Sequence, residues 1–143
     1  MLDRLRFERR SLPELKTLTQ AGGHLSKELQ LKFSNYAKRE GKNFVVMYGQ
    51  AEATARISYL PADMTLRKIG SIGIAIPRTE LLLEGEHGEK INSPNTEGEL
   101  ICKGEHVTLG YAECVDDLNK GDERHGVLHT GDLAYFDENG YFY

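Results

Sequence analysis

The sequence has few cysteines, no long apolar run and no excess of basic residues. Cys102 and Cys114 are the only cysteines among 143 residues and form no Cys-x-x-Cys pair, so we expect reduced thiols rather than a zinc or redox site. Apolar runs are only a few residues long, which predicts no membrane span. The net charge of -4 argues against a nucleic-acid partner, because such surfaces carry clustered basic residues. These features predict a globular chain in the cytoplasm.

Several motifs for nucleotides, metals and targeting are also missing. Neither Gly-x-Gly-x-x-Gly nor Gly-x4-Gly-Lys-Ser/Thr occurs, so the common glycine-rich phosphate loops are absent from this sequence. His125 and His129 are four residues apart, but the intervening Gly126 favours a strand or turn over a helix, so we expect no metal at this pair. Residues 1–10 are basic but interrupted by acidic residues, which is typical of a solvated helix face rather than a targeting peptide.

The first third of the chain alternates between strand and helix patterns. A strand is predicted over residues 15–21 and ends at Gly22 and Gly23. Ser26 then caps a helix predicted over residues 27–40, whose apolar positions recur at helical spacing: Leu29, Phe33, Tyr36 and Ala37. A second strand over Asn43–Tyr48 completes a strand-helix-strand unit, and its right-handed crossover makes the two strands parallel. After Gly49, an alanine-rich segment predicts the start of another helix.

After Pro61 the helical pattern gives way to short β-rich runs separated by glycine-containing turns. Strands are predicted over residues 72–76, 79–84, 99–103, 107–111, 133–136 and 141–143. The predicted fold class is therefore α/β followed by mainly β. Residues 1–65 are expected to form the end of an α/β subdomain, and residues 66–143 a small antiparallel, barrel-like subdomain.

Two glycine-containing strand ends mark a candidate site. Gly22 and Gly23 follow the first strand, and Tyr48 and Gly49 end the second. The carboxyl ends of parallel strands share one sheet edge, where open α/β sheets hold ligands. Glycine lets a flat heterocycle approach the backbone, and tyrosine offers a stacking face. From the residues alone, an alternative remains open in which the glycines only form turns and Tyr48 belongs to the core.

Two motifs in this sequence resemble those of the adenylate-forming superfamily, which includes acyl-coenzyme A synthetases, peptide-synthetase adenylation domains and luciferases. Residues 48–52 read Tyr-Gly-Gln-Ala-Glu, against the family's Tyr-Gly-x-Thr-Glu, so Ala51 replaces a threonine. Residues 130–132 read Thr-Gly-Asp, which matches the family's second motif without change. Residues 18–23, 70–73, 98–101 and 110–111 resemble the family's connecting segments in the family's order. The resemblance covers essentially the whole chain.

The resemblance implies ATP-dependent activation of a small carboxylic acid. The acid attacks the α-phosphate, pyrophosphate leaves, and the acyl-adenylate passes to a thiol of coenzyme A or of a carrier protein. It implies an ATP or AMP site formed by Gly22, Gly23, His24, Tyr48, Gly49, Gln50, Ala51 and Asp132. The Asp132 carboxylate would accept both ribose hydroxyls, and Glu52 would bind Mg²⁺. Without the resemblance, a turn aspartate and an exposed helix-start glutamate explain these two residues equally.

Ala51 is the one departure from the first motif. Alanine cannot donate the hydrogen bond that the family's threonine hydroxyl offers towards the α-phosphate. Gln50 and Thr54 are the nearby candidates for that donor.

The resemblance also implies that other parts of the enzyme lie outside this sequence. The family's phosphate loop would lie upstream, and its hinge and C-terminal lid domain with the catalytic lysine would lie downstream. We therefore expect an internal fragment of the large N-terminal domain that contains no catalytic residue and forms no adenylate alone. The alternative is a non-catalytic β-rich interaction module, or an inactive fragment, in which the motifs only shape turns.

Overall fold

The computed structural model describes residues 7–143, which form two four-stranded sheets and one α-helix. The helix α1 is Lys27–Arg39. The first sheet contains β1 (Thr17–Gln20), β2 (Asn43–Tyr48), β3 (Ser58–Leu60) and β4 (Ile74–Ala75). The second contains β5 (Thr79–Glu84), β6 (Lys90–Ile91), β7 (Gly98–Gly104) and β8 (Val127–Ala134). Short 3-10 segments are Phe7–Arg9, Ala51–Ala53, Ala62–Met64 and Val115–Asn119.

The amino-terminal basic segment is described only in part. The prediction of a solvated helix face covers residues 1–10. Residues 1–6 lie outside the described residues, and Phe7–Arg9 forms a 3-10 turn. Within residues 7–143, no helix is long and apolar enough to cross a membrane.

The unit β1-α1-β2 follows the order that the sequence pattern predicts, with β1 and β2 paired in parallel. The Ser26 hydroxyl accepts a hydrogen bond from the backbone N–H of Leu29 at 3.3 Å and so caps α1. One stripe of the helix packs on the sheet in a core of Leu18, Phe33, Tyr36, Ala37, Phe44, Val46 and Leu60. Both strands therefore end at the same edge of the first sheet.

The helix predicted after Gly49 is wrong, because only the 3-10 turn Ala51–Ala53 forms there. Thr54 and Ala55 have left-handed backbone conformations, with φ of 54° and 71°, which a continuing helix does not allow. The backbone N–H of Ile57 then donates to the Tyr48 carbonyl at 2.9 Å, and β3 returns antiparallel to β2. The chain thus makes a tight reversal where the sequence alone favours a helix start.

The second sheet has the strand order β6-β5-β7-β8 and is antiparallel throughout. The barrel-like closure predicted for residues 66–143 is wrong, because within the described residues the sheet is open, with β6 and β8 at its edges. The strand predicted over residues 107–111 is also wrong. Val107 is buried there, and Thr108 donates its backbone N–H to the Glu52 carbonyl at 2.8 Å instead of joining a ladder.

The carboxyl-terminal residues link the two sheets. Phe142 forms isolated bridges with Gly73 and Phe136, and the Ser71 hydroxyl donates to the Phe142 carbonyl at 2.6 Å. Nearby, the Lys68 ammonium lies 2.6 Å from an oxygen of Asp137. These contacts hold the segment around residue 71 against the end of the chain.

Candidate functional site

A cleft of about 660 Å³ opens at the shared edge of β1 and β2 and continues to β8. Six residues that the sequence analysis assigned to a nucleotide site line it: Gly22, Gly23, His24, Tyr48, Gly49 and Asp132. The two strand ends and the distant Thr-Gly-Asp motif therefore meet at one cleft. Their roles in binding a nucleotide stay predictions.

Other residues of this cleft were not singled out from the sequence. They come from the end of β1, from α1 and the turn before it, from the segment before β4, from β8 and from the end of the chain: Gln20, Leu25, Lys27, Gln30, Ser71, Ile72, Leu133 and Tyr143. Gln30 is buried and bonds to the backbone of residues 65, 68 and 70, so it fixes this wall to α1. In the sequence, residues 70–73 are recognisable only as one of the connecting segments. A residue that merely lines a cleft needs no particular chemistry, so its role leaves no motif.

Gly49 lies so close to the backbone of Ala55 that this strand end has no room for a side chain. A Cβ atom at this position would lie 2.4 Å from the Ala55 carbonyl oxygen. Any side chain would therefore push apart the reversal that joins β2 to β3. In contrast, nothing lies within 4 Å of a Cβ atom at Gly22 or Gly23, so this side of the cleft is open.

A bulge in β8 displaces Asp132 from the regular ladder. Glu99 pairs with Leu133 and Ile101 pairs with His129, so three residues of β8 lie opposite a single residue of β7. Gly131 lies in this bulge with φ of 72°, a conformation that favours glycine. The carboxylate of Asp132 is exposed at this irregular point of the edge strand.

Three side chains meet across the two sheets at the Asp132 carboxylate. The Tyr48 hydroxyl donates to Asp132 Oδ2 at 2.5 Å. Gln50 Nε2 donates to the same oxygen at 3.1 Å and to the Thr130 carbonyl at 2.8 Å. Burial and the hydrogen bond to Asp132 raise the pKa of Tyr48 above its usual value, so its phenol stays protonated and remains a donor at neutral pH.

A second opening of about 490 Å³ is lined in part by Gln50. Its lining includes Glu52, Tyr111, Arg124 and His129. The Tyr111 hydroxyl donates to a Glu52 oxygen, and the Arg124 guanidinium lies 4.5 Å from the centre of the Tyr111 ring. The Tyr111 hydrogen bond, followed by a backbone N–H and the charge of Arg124, lowers the pKa of Glu52. Glu52 is therefore ionised at neutral pH.

Glu52 has the chemistry that a magnesium ligand needs. It offers hard carboxylate oxygens at the rim of an opening next to Gln50. Magnesium is commonly held by one or two carboxylates, with substrate phosphates and water completing its coordination. The residues present fit this ion, although its binding here stays a prediction.

Ala51 and Thr54 are exposed and line neither opening. The left-handed Thr54 caps the short turn rather than sharing a helix face with Ala51. Of the two donors that the sequence analysis considered beside Ala51, Gln50 alone reaches the site residues.

His129 lies on an exposed part of the second sheet beside two carboxylates. Its Nδ1 atom is 3.5 Å from Glu99 and 4.0 Å from Glu84, and the three possible ligand atoms lie within 4.8 Å of one another. Glu99 already accepts a hydrogen bond from the backbone N–H of Gly131 at 3.0 Å. These are polar contacts between side chains at the protein surface. His125, in contrast, lies in a turn with φ of 51°.

Comparison with known proteins identifies the family. The sequence model of the family described as AMP-binding enzyme matches residues 1–112 of this chain. The chain belongs to the AMP-binding enzyme family. A 2-succinylbenzoate–CoA ligase from Bacillus mycoides is 40% identical over 96 residues, which cover 67% of this chain and 19% of that relative. A second ligase of this name, from Bacillus cereus, is 38% identical over 96 residues, with the same coverage.

Two solved structures share the fold of the chain. O-succinylbenzoate coenzyme A synthetase from Bacillus subtilis, in complex with ATP and magnesium ion, superposes with a TM-score of 0.78 at 27% identity. The match covers 99% of this chain and 29% of that one. The structure of VinN gives a TM-score of 0.76 at 28% identity and covers 97% of this chain and 34% of that one. The chain thus spans 19% of the length of the first curated relative and about a third of these solved chains.

Proposed function

We propose that this chain forms the adenine-binding, ribose-binding and magnesium-binding part of an enzyme that activates a carboxylic acid with ATP. The acid carboxylate attacks the α-phosphate, pyrophosphate leaves, and the resulting acyl-adenylate transfers its acyl group to a thiol, such as that of coenzyme A. Membership of the AMP-binding family supports this reaction class. It also favours this reaction class over a non-catalytic interaction module.

The meeting of Tyr48, Asp132 and the Gly22–Gly23 segment at one cleft is the observation that supports the proposal most. The open backbone at the two glycines gives a flat ring room to lie against the chain, and the Tyr48 ring provides a partner surface. The Asp132 carboxylate is an acceptor for a ribose hydroxyl. Adenine and ribose would thus lie between the end of β1 and β8.

Glu52 is the proposed magnesium ligand, beside the phosphate end of the nucleotide. A bound Mg²⁺ supplies positive charge that offsets the charge of the phosphate groups. The Tyr111 hydroxyl donates a hydrogen bond to one Glu52 oxygen. Arg124 lines the same opening, so its guanidinium would add positive charge beside that of Mg²⁺.

The names of the relatives suggest which acid to test first. Two relatives at 40% and 38% identity are 2-succinylbenzoate–CoA ligases, so 2-succinylbenzoate is the first candidate acid, with coenzyme A as the acceptor. Met47 and Ile72 line the cleft beside Tyr48 and provide apolar surface for an acyl group.

Isothermal titration of AMP into the 143-residue chain tests the nucleotide site. We expect saturable binding of AMP, and Asp132→Ala should raise the Kd by more than tenfold, since a hydrogen bond to a charged group contributes roughly 1.5 to 3 kcal/mol. Asp116→Ala is the matched control, because Asp116 is an exposed aspartate outside both openings.

The control variant should bind AMP like the parent chain. Equal AMP affinities for Asp132→Ala and the parent chain, with both folded by circular dichroism, would rule out the ribose role. No binding of AMP to the parent chain would rule out the proposed nucleotide site as a whole.

A further inference from the structure

The side chain of Gln50 joins the two sheets at the exposed carboxylate of the cleft. Gln50 follows β2 directly, whereas its partners Thr130 and Asp132 belong to β8, at least 80 positions further along the chain. Its Nε2 atom donates to the Thr130 carbonyl at 2.8 Å and to Asp132 Oδ2 at 3.1 Å. Both partners only accept hydrogen bonds, so the amide group must present its nitrogen to them.

Tyr48 closes a triangle with these residues. Its hydroxyl donates to Asp132 Oδ2 at 2.5 Å and lies 3.3 Å from Gln50 Nε2. Two donors therefore converge on one carboxylate oxygen. Within residues 7–143, the other oxygen, Oδ1, has no hydrogen-bond partner, so it is free to accept a bond from a ligand.

We propose that Gln50 is a positioning residue, which fixes the Asp132 carboxylate so that its Oδ1 atom accepts a ribose hydroxyl. This inference rests on the proposed nucleotide site. Asp132 is exposed on a bulged edge strand, where an unrestrained carboxylate would lose rotamer freedom on binding. Donors that hold it before the ligand arrives lower this entropic cost. In this role Gln50 acts through Asp132.

A positioning role and a purely structural role of Gln50 predict different affinities for ligands without ribose hydroxyls. A residue that only supports the fold would affect all nucleotides alike. A residue that positions the ribose acceptor affects AMP but not 2′,3′-dideoxy-AMP, which keeps the adenine and phosphate groups. The affinity ratio of these two ligands is therefore the informative quantity.

The test measures the Kd of both ligands by titration calorimetry for the parent chain, Gln50→Met and Gln50→Glu. Methionine keeps the length of the side chain but donates no hydrogen bond, so Gln50→Met should weaken AMP binding by about two- to tenfold. This is less than the loss expected for Asp132→Ala, because the bond from Asp132 to the ribose remains. Gln50→Glu should weaken it further, because two carboxylates then face each other. Gln50→Met should bind 2′,3′-dideoxy-AMP like the parent chain.

A double-mutant cycle with Asp132→Asn separates direct from indirect action. If Gln50 acts through the carboxylate, Gln50→Met should change the AMP affinity little once Asp132 has been replaced. Full additivity of the two substitutions would overturn the inference. Parallel weakening of both ligands in both Gln50 variants would assign Gln50 to the fold and would overturn it as well.

The outcomes distinguish this inference from the proposed function. If the parent chain prefers AMP over 2′,3′-dideoxy-AMP and Gln50→Met retains that preference in full, the inference fails while the nucleotide site stands. If the parent chain binds neither ligand, the proposed site fails and this inference fails with it.

Discussion

The ion pair between Lys68 and Asp137 should stabilise the wall of the cleft more than any exposed pair does. The two charged atoms lie 2.6 Å apart, and each side chain is only 13% exposed. Asp137 also accepts backbone hydrogen bonds from Asn139 at 2.9 Å and Tyr141 at 3.1 Å. Removing the carboxylate leaves a largely buried ammonium and two N–H groups without this acceptor. Breaking such a pair costs about 3 kcal/mol of unfolding free energy.

Urea denaturation of the parent chain and Asp137→Ala measures this cost. Glu105→Ala is the matched control, because Glu105 pairs with Arg78 and these side chains are 82% and 79% exposed. Exposed pairs contribute at most about 1 kcal/mol, so the control should change the free energy of unfolding little. Equal effects of the two substitutions would refute the reasoning from burial.

The effect should also depend on pH. Burial alone raises the pKa of Asp137, but the hydrogen bond from Lys68 and those from the backbone outweigh it, and the net result is a pKa below the usual 3.8. A carboxyl group with a lowered folded-state pKa stabilises the protein above its unfolded pKa and loses this contribution as the pH falls. The difference between the parent chain and Asp137→Ala should therefore be full at pH 6 and shrink below about pH 3.8. An unchanged difference at pH 3 would contradict this account.

Three further predictions concern thiols, glycines and the core. Because burial raises the pKa of Cys102 to about 11 whereas Cys114 is exposed, a thiol reagent at pH 8 should modify Cys114 quickly and Cys102 only after unfolding. Gly49→Ala should lower the free energy of unfolding by about 1 to 3 kcal/mol in urea, while Gly23→Ala leaves it unchanged and weakens AMP binding in calorimetry. Leu60→Ala, at a fully buried position, should cost about 2 to 5 kcal/mol in the same denaturation assay.

Local patterns in the sequence predicted the β1-α1-β2 unit, whose strand ends line the cleft. The apolar spacing from Leu29 to Ala37 and the cap at Ser26 are local signals, and α1 forms there with that cap. The strand that ends at Tyr48 has the bounds that its β-branched run predicts. Since parallel strands end at one edge, the sequence also indicated that Gly22 and Tyr48 lie near each other, and both line the cleft.

Local patterns failed where a distant partner decides the conformation. Alanine-rich residues after Gly49 favour a helix, but the reversal into β3 places Thr54 and Ala55 in left-handed conformations and limits the segment to one 3-10 turn. Val107 and its neighbours have β-forming side chains, yet Val107 packs with Ile57 in a buried cluster and forms no ladder. In both cases tertiary packing outweighs a preference of about 1 kcal/mol or less per residue.

The sequence by itself determined the chemical identity of the candidate site, because the types of residue at Tyr48, Glu52 and Asp132 and the two motifs that contain them can be read directly. Only the tertiary structure decided how these residues are held. The bulge that displaces Asp132 arises from the pairing of β7 with β8, and the bonds of Gln50 to β8 join segments 80 positions apart. Contacts between distant segments leave no periodic signal in either segment alone, since each depends on where the rest of the chain lies.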